Sequence, residues 1–132
     1  MHRHTHVLRV RYGECDAQKV VFNARYGDYV DIAVLEFMRA LPMGERFLDG
    51  TLDYQLVKQT TEWRAPARFD DRLAITVLPV ALGTTSFTLR AEFRREGEPE
   101  VLATSETVYV LMDGHSLRKC PLPEEVRAAL SA

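Results

Sequence analysis

Asp16 and Asn23 stand at the entry to the stretch ECDAQKVVFNARYGDYVDIAVLEFMRAL, residues 14–41, with Asp16 seven residues before Asn23. A carboxylate in a short segment leading straight into a helix has a plain chemical use. The first N–H groups of a helix have no partner inside it and carry the positive end of its dipole, so they suit a carbonyl oxygen that is acquiring negative charge. Asp16 near such a helix end is a nucleophile or base beside an electrophile-activating dipole. The same residues also serve plain structure, with Asp16 closing a turn and Asn23 capping the helix.

The helix itself is read from spacing. Tyr26, Tyr29, Val30, Ala33, Val34, Phe37 and Leu41 recur three and four apart, while Arg25, Asp28, Asp31 and Arg39 fall elsewhere, so one face is buried. Asn23 is a good N-cap type, and Pro42 followed by Gly44 cannot continue the helix, which places it at 24–41. At about 1.5 Å per residue it is roughly 27 Å long, enough to cross a whole sheet.

Strands must make the rest. Thr5 to Tyr12 reads as a first strand entering the Asp16 segment, and 42–51 as a loop with Phe47 and Leu48 in its apolar middle. Four further strands follow at Asp53–Ala65, Arg72–Leu82, Ser86–Arg94 and Val101–Met112. They are separated by Pro66 with Asp70 and Asp71, by Gly83, and by the hairpin loop RREGEPE. Ser86–Arg94 alternates most cleanly, with Phe87, Leu89, Ala91 and Phe93 on one face. Pro123, Glu124 and Glu125 start a short C-terminal helix. Short connections imply antiparallel neighbours, and with no second crossover helix no doubly wound parallel sheet can form. The expected architecture is α+β, a curved antiparallel sheet of about five strands wrapped around one long central helix, in one domain over 1–132.

Composition narrows the partners. With 46% hydrophobic and 27% charged residues and a net charge of −2, the chain is an ordinary globule with no polyanion-binding signature, so no nucleic acid is expected. Cys15 and Cys120 match no zinc or redox spacing, and no signal peptide or membrane span is apparent, so a cytoplasmic protein with free thiols is expected. His2, His4 and His6 alternate along a strand but lack a carboxylate or Cys partner, and read as a frayed terminus. Neither a metal nor a cofactor is called for. Ser86, Ser105 and Ser116 sit in no G-x-S-x-G elbow, and the seven glycines are too scattered for a phosphate loop.

The run VRYGECDAQKVVFNARYGDYVDIAVLEFMRAL resembles the signature of the 4-hydroxybenzoyl-CoA thioesterase family and its YbgC-type relatives, through Tyr12, Glu14, Asp16, Val20, Val21, Asn23, Tyr26, Tyr29 and Glu36. Weaker similarity continues through APARFDDRLAITV, GTTSF and the last strand. The resemblance implies the hotdog fold, a dimer or tetramer, and hydrolysis of an acyl-CoA thioester to a free acid and coenzyme A. The family's catalytic Asp falls on Asp16 and its oxyanion-binding backbone N–H on Asn23. Tyr26, Thr60, Thr61, Arg64 and Arg68 are then candidates for substrate contact, the threonines for a water and the arginines for phosphates. Glu36 is read as structural. Two positions depart from the pattern. Lys19 stands where many members have Gly, so a different loop path is expected, and Gly83, Thr84 and Thr85 replace basic residues that hold the nucleotide in some members. The alternative to an enzyme is a non-catalytic acyl-CoA-binding module on the same fold. Asp16 separates the two, since a pure binder needs no carboxylate facing the thioester.

Overall fold

The computed structural model describes residues 2–131. Its sheet has five strands, β1 (His4–Arg9), β2 (Leu52–Trp63), β3 (Arg72–Leu82), β4 (Ser86–Arg95) and β5 (Val101–Asp113), with helices α1 (Arg25–Arg39) and α2 (Glu124–Ser131). All neighbours are antiparallel, in the order β1-β3-β4-β5-β2. Alternation decides which face is inside. Phe87, Leu89, Ala91 and Phe93 of β4 are buried, as are Leu73, Ile75 and Val77 of β3 and Ala103, Ser105, Thr107, Tyr109 and Leu111 of β5. Against this face α1 sets Tyr26, Tyr29, Val30, Ala33, Val34, Phe37 and Met38, all in one continuous core.

Helix α1 is shorter than the 24–41 expected. Its first residue is Arg25, and Ala24 before it has helical angles, φ −66° and ψ −20°, with no side-chain cap. Asn23 therefore does not cap the helix through its side chain. Its carbonyl accepts from the Tyr26 N–H at 3.3 Å, and the Phe22 carbonyl from the Arg25 N–H at 2.9 Å, so a turn feeds the helix in place of an extended cap residue. At the far end the chain leaves at Ala40, and Gly44 packs so close beneath that a Cβ there would lie 2.3 Å from the Arg39 carbonyl oxygen.

One connection departs from the hairpin expectation. β3–β4 and β4–β5 are neighbours, but β2 pairs with β5, so residues 64–71 run across the sheet end to reach β3. This crossing is pinned on the way. The N–H groups of Arg64 and Ala65 donate to the Leu102 carbonyl at 2.8 and 3.1 Å, and the Arg95 guanidinium donates to the Pro66 carbonyl and to Asp71 at 2.9 and 3.0 Å.

The ladder also holds three bulges, at Val57 in β2, Val80 in β3 and Leu102 in β5, which bend their strands. β1 pairs His4 with Val77 and His6 with Ile75, and the His2 ring lies 4.8 Å from that of Phe37, so the histidine row is ordered structure and not a frayed end. Among the described residues no helix is long and apolar enough to cross a membrane, and no group of three or more His, Cys, Asp or Glu is placed to hold a metal ion.

Candidate active site

Between β1 and α1 the chain folds into a small hairpin that carries Asp16. Cys15 bridges Val21, the Asp16 N–H donates to the Val20 carbonyl at 2.9 Å, and the Lys19 N–H returns to the Asp16 carbonyl at 2.9 Å. Asp16 Oδ1 accepts the Gln18 N–H at 2.8 Å, the side-chain turn that Asp forms two residues ahead. Its second oxygen, Oδ2, has no partner among the described residues. One oxygen is held and the other is unbound.

Lys19 completes this turn with φ 62°, the left-handed conformation that glycine takes without strain. The backbone therefore adopts at Lys19 the shape a glycine would favour. Holding an L-residue there costs about 1 kcal/mol. Lys19→Gly is expected to raise stability by up to about 1 kcal/mol, the gain reduced by glycine's greater freedom when unfolded. A thermal melt checks this, with a Tm rise of up to about 4 °C expected.

The hairpin is fastened on two sides. Toward the crossing connection, the Val21 N–H donates to the Ala67 carbonyl at 2.8 Å and the Phe69 N–H to the Lys19 carbonyl at 3.1 Å. Toward α1, the Phe22 N–H donates to the Glu14 carbonyl at 3.0 Å, and the Tyr29 hydroxyl donates to Glu14 Oε1 at 2.8 Å. Beyond Phe22 the helix begins, and the N–H groups of Asn23 and Ala24 donate to nothing among the described residues. They are exposed donors at a helix start.

The Cys15 thiol and the phenols of Tyr26 and Tyr29 stay protonated at neutral pH. Burial, then the charges of Glu14 and Asp16, push the Cys15 thiol up, and its Sγ donates to the Arg11 carbonyl at 3.6 Å. It is no thiolate. Burial likewise raises Tyr26, whose hydroxyl accepts the Ala67 N–H at 3.2 Å, and raises Tyr29, aided by its bond to Glu14. Of the hairpin's two carboxylates, Glu14 is tied through Oε1 to Tyr29 and Arg11, whereas Asp16 binds only the backbone of its own turn.

Two cavities flank the hairpin. The one holding Asp16, about 360 Å³, is walled by Tyr12, Cys15, Ala17, Lys19 and Phe69, with the rings of Tyr12 and Phe69 edge to face at 5.9 Å. The one holding Asn23, about 250 Å³, is lined also by Val20, Tyr26, Trp63 and Arg64. Within one chain, then, Asp16 and Asn23 open on to different cavities.

The remaining expected contacts divide. Tyr26 and Arg64 line the Asn23 cavity. Thr61 faces the core side, its hydroxyl 2.7 Å from that of buried Ser105. Thr60 faces the opposite side of the sheet, in a polar depression with Lys58, Glu62, Thr88 and Glu106, and is not brought to the site. Arg68 is exposed beside Val20, its backbone N–H bound to Asp71. Sequence reasoning missed Trp63 and Phe69 as lining residues. Trp63 ends its strand with its ring edge to face on Tyr26 at 5.8 Å, and its aromatic bulk at a strand end was the one available signal.

The sequence model of the Thioesterase-like superfamily matches residues 10–130. The chain is 30% identical over 124 residues to the acyl-CoA thioester hydrolase YbgC of Escherichia coli, covering 92% of this chain and 90% of that one. It is 27% identical over 121 residues to the 1,4-dihydroxy-2-naphthoyl-CoA hydrolase of Synechococcus elongatus, covering 89% and 88%. Among solved structures, a gentisyl-coenzyme A thioesterase superposes with a TM-score of 0.85 at 27% identity, over 97% of this chain and all of that one.

Proposed function

The chain belongs to the Thioesterase-like superfamily, and on that premise we propose that it is an acyl-CoA thioesterase, with the Asp16 turn and the start of α1 as its catalytic centre. The activity follows from relatives that are thioester hydrolases along nearly their whole length. The observation that carries the site is the state of the Asp16 carboxylate: Oδ1 is fixed by Gln18 and Oδ2 is free, on a hairpin hydrogen-bonded at its base to a helix start with unpaired N–H groups.

In this reading the Asn23 N–H receives the thioester oxygen as it gains charge. Asp16 Oδ2 either attacks the carbonyl carbon or takes a proton from a water that does. If it attacks, the C–S bond breaks, coenzyme A leaves as a thiolate that is protonated by solvent, and water cleaves the mixed anhydride to free acid and restored carboxylate. Lys19 lines one cavity and the next residue, Val20, lines the other, and in this reading an extended thioester lies across the two. Tyr26, Trp63 and Thr61 bound the acyl side, and Arg64 and Arg68 are the cations for the phosphates. Thr60 drops out of the site. The whole of 1–132 is one hotdog domain, with α1 as the helix around which the sheet closes.

We place the enzyme in the cytoplasm, where its two free cysteines remain reduced. It works as a dimer or a dimer of dimers. β2 is a twelve-residue edge strand whose Leu56, Val57 and Trp63 are 40%, 58% and 47% exposed, an apolar edge that a second copy would cover. Light scattering at micromolar concentration is expected to give at least twice the monomer mass. An active monomer would remove the dimer from this reading.

The activity is tested by thiol release from short-chain, long-chain and aromatic acyl-CoAs. Release from at least one is expected. Tight binding of one with release from none would make the protein an acyl-CoA-binding module instead.

A further inference from the structure

Glu14 is a junction. Its Oε1 accepts both the Tyr29 hydroxyl and the Arg11 N–H at 2.8 Å, while its carbonyl accepts the Phe22 N–H at 3.0 Å. Two residues later comes Asp16. The bond from Tyr29 is therefore a side-chain tie between α1 and the limb of the hairpin that bears the carboxylate.

The tie has a counterpart one helical turn earlier. Tyr26 and Tyr29 lie three apart on the buried face of α1, ring centroids 6.2 Å apart, both about 1% exposed. Tyr26 accepts from Ala67 on the crossing connection, and Tyr29 donates to Glu14 on the hairpin. A packed phenol brings a rigid ring and one hydroxyl, with little freedom to lose, so the Glu14 end is located relative to the helix start to within a hydrogen bond's tolerance. A phenylalanine would pack as well and hold nothing.

We propose that Tyr29 and Glu14 are a positioning pair for catalysis: through their hydrogen bond, α1 sets the Asp16 carboxylate in register with the N–H groups at its own start. This rests on the Asp16 reading above. A reacting group displaced by about 1 Å loses up to about 10² in rate with no contact to substrate removed, so the tie is worth more to turnover than to binding.

The test is a set of variants assayed for kcat, KM and Tm, with Asp16→Asn run beside them. Tyr29→Phe is expected to lower kcat by about ten- to a hundredfold with KM within about threefold. Glu14→Ala should do the same, and the double variant Tyr29→Phe with Glu14→Ala should be no slower than Glu14→Ala alone, because the two act through one bond. Glu14→Gln is the rescue. Its carbonyl oxygen still accepts from Tyr29 and from Arg11, so most of kcat should return, whatever happens to Tm. A Tyr29→Phe enzyme with kcat within threefold of the parent and only a lower Tm overturns the positioning role while Asp16→Asn remains dead. Multiplicative losses in the double variant overturn it too. If Asp16→Asn itself keeps its turnover, the site reading has failed and the pair has nothing to position.

Discussion

Replacing Asp16 by Asn is expected to lower turnover by a factor of about 10² to 10⁴ while acyl-CoA affinity changes little. Asn keeps the size of Asp and an oxygen able to accept the Gln18 N–H, now 2.8 Å from Oδ1, so the turn can persist. What it loses is the charge and basicity of the free Oδ2. Binding, set by contacts along the rest of a long ligand, has no reason to follow. A purely structural Asp16 gives the reverse pattern, about 1 kcal/mol of lost stability with near-normal turnover in the folded fraction. Turnover, acyl-CoA binding and Tm on one variant separate the two. More than about a tenth of parental turnover would take Asp16 out of the mechanism.

Phe37→Ala is the largest expected effect on stability. Phe37 is fully buried on the core stripe of α1, with the His2 ring 4.8 Å away, so truncation leaves a cavity bounded by packed neighbours. Large-to-small changes of this kind cost about 3 to 5 kcal/mol, a large share of the roughly 5 to 15 kcal/mol that holds a domain folded. Urea titration should show a lower midpoint with an unchanged slope. Arg39→Ala on the same helix, an exposed partner of Glu36 at 3.1 Å, is the control and should cost under about 0.5 kcal/mol. Comparable losses from both would mean that α1 does not pack by the face described.

How far the sequence was readable depends on the range of the cause. β4 was legible almost to the residue because each inward side chain meets core and each outward one meets water, and that alternation is written locally. The ends of α1 were less so. Asn23 has the chemistry of a cap, yet a turn at Phe22–Asn23 makes the cap unnecessary, and nothing in residue type distinguishes the two. Thr60 and Thr61 show a sharper limit. Tyr54 and Leu56 oppose inward residues of β5, and the extra Val57 then reverses parity, so that Gln59, Thr61 and Trp63 face the core side and Thr60 the other. Without the bulge the assignment inverts. The place of β2 beside β5 was likewise out of reach, since a crossing of residues 64–71 and a hairpin draw on the same loop chemistry. Asp16 was legible as a candidate because a carboxylate leading into a helix is a local pattern, whereas the Glu14–Tyr29 tie needed the fold to bring the two together.

The order β1-β3-β4-β5-β2 also fixes a sequence of events in time. β3, β4 and β5 are joined by neighbouring hairpins, with partners such as Leu82 and Phe87 or Arg94 and Val101 only a few residues apart. β2 must instead find β5 across gaps running from Trp63–Ala103 to Leu52–Asp113, and β1 must find β3 from His4 to Val77. Loop-closure entropy makes those two pairings slow, so the central meander should form first and both margins should be recruited late. The strand whose edge the proposed dimer would cover is thus among the last to join the sheet. Assembly then waits on the slowest intramolecular step, and a nascent chain passes through a stage in which the β5 edge, not yet covered by β2, is the one most exposed to a wrong partner.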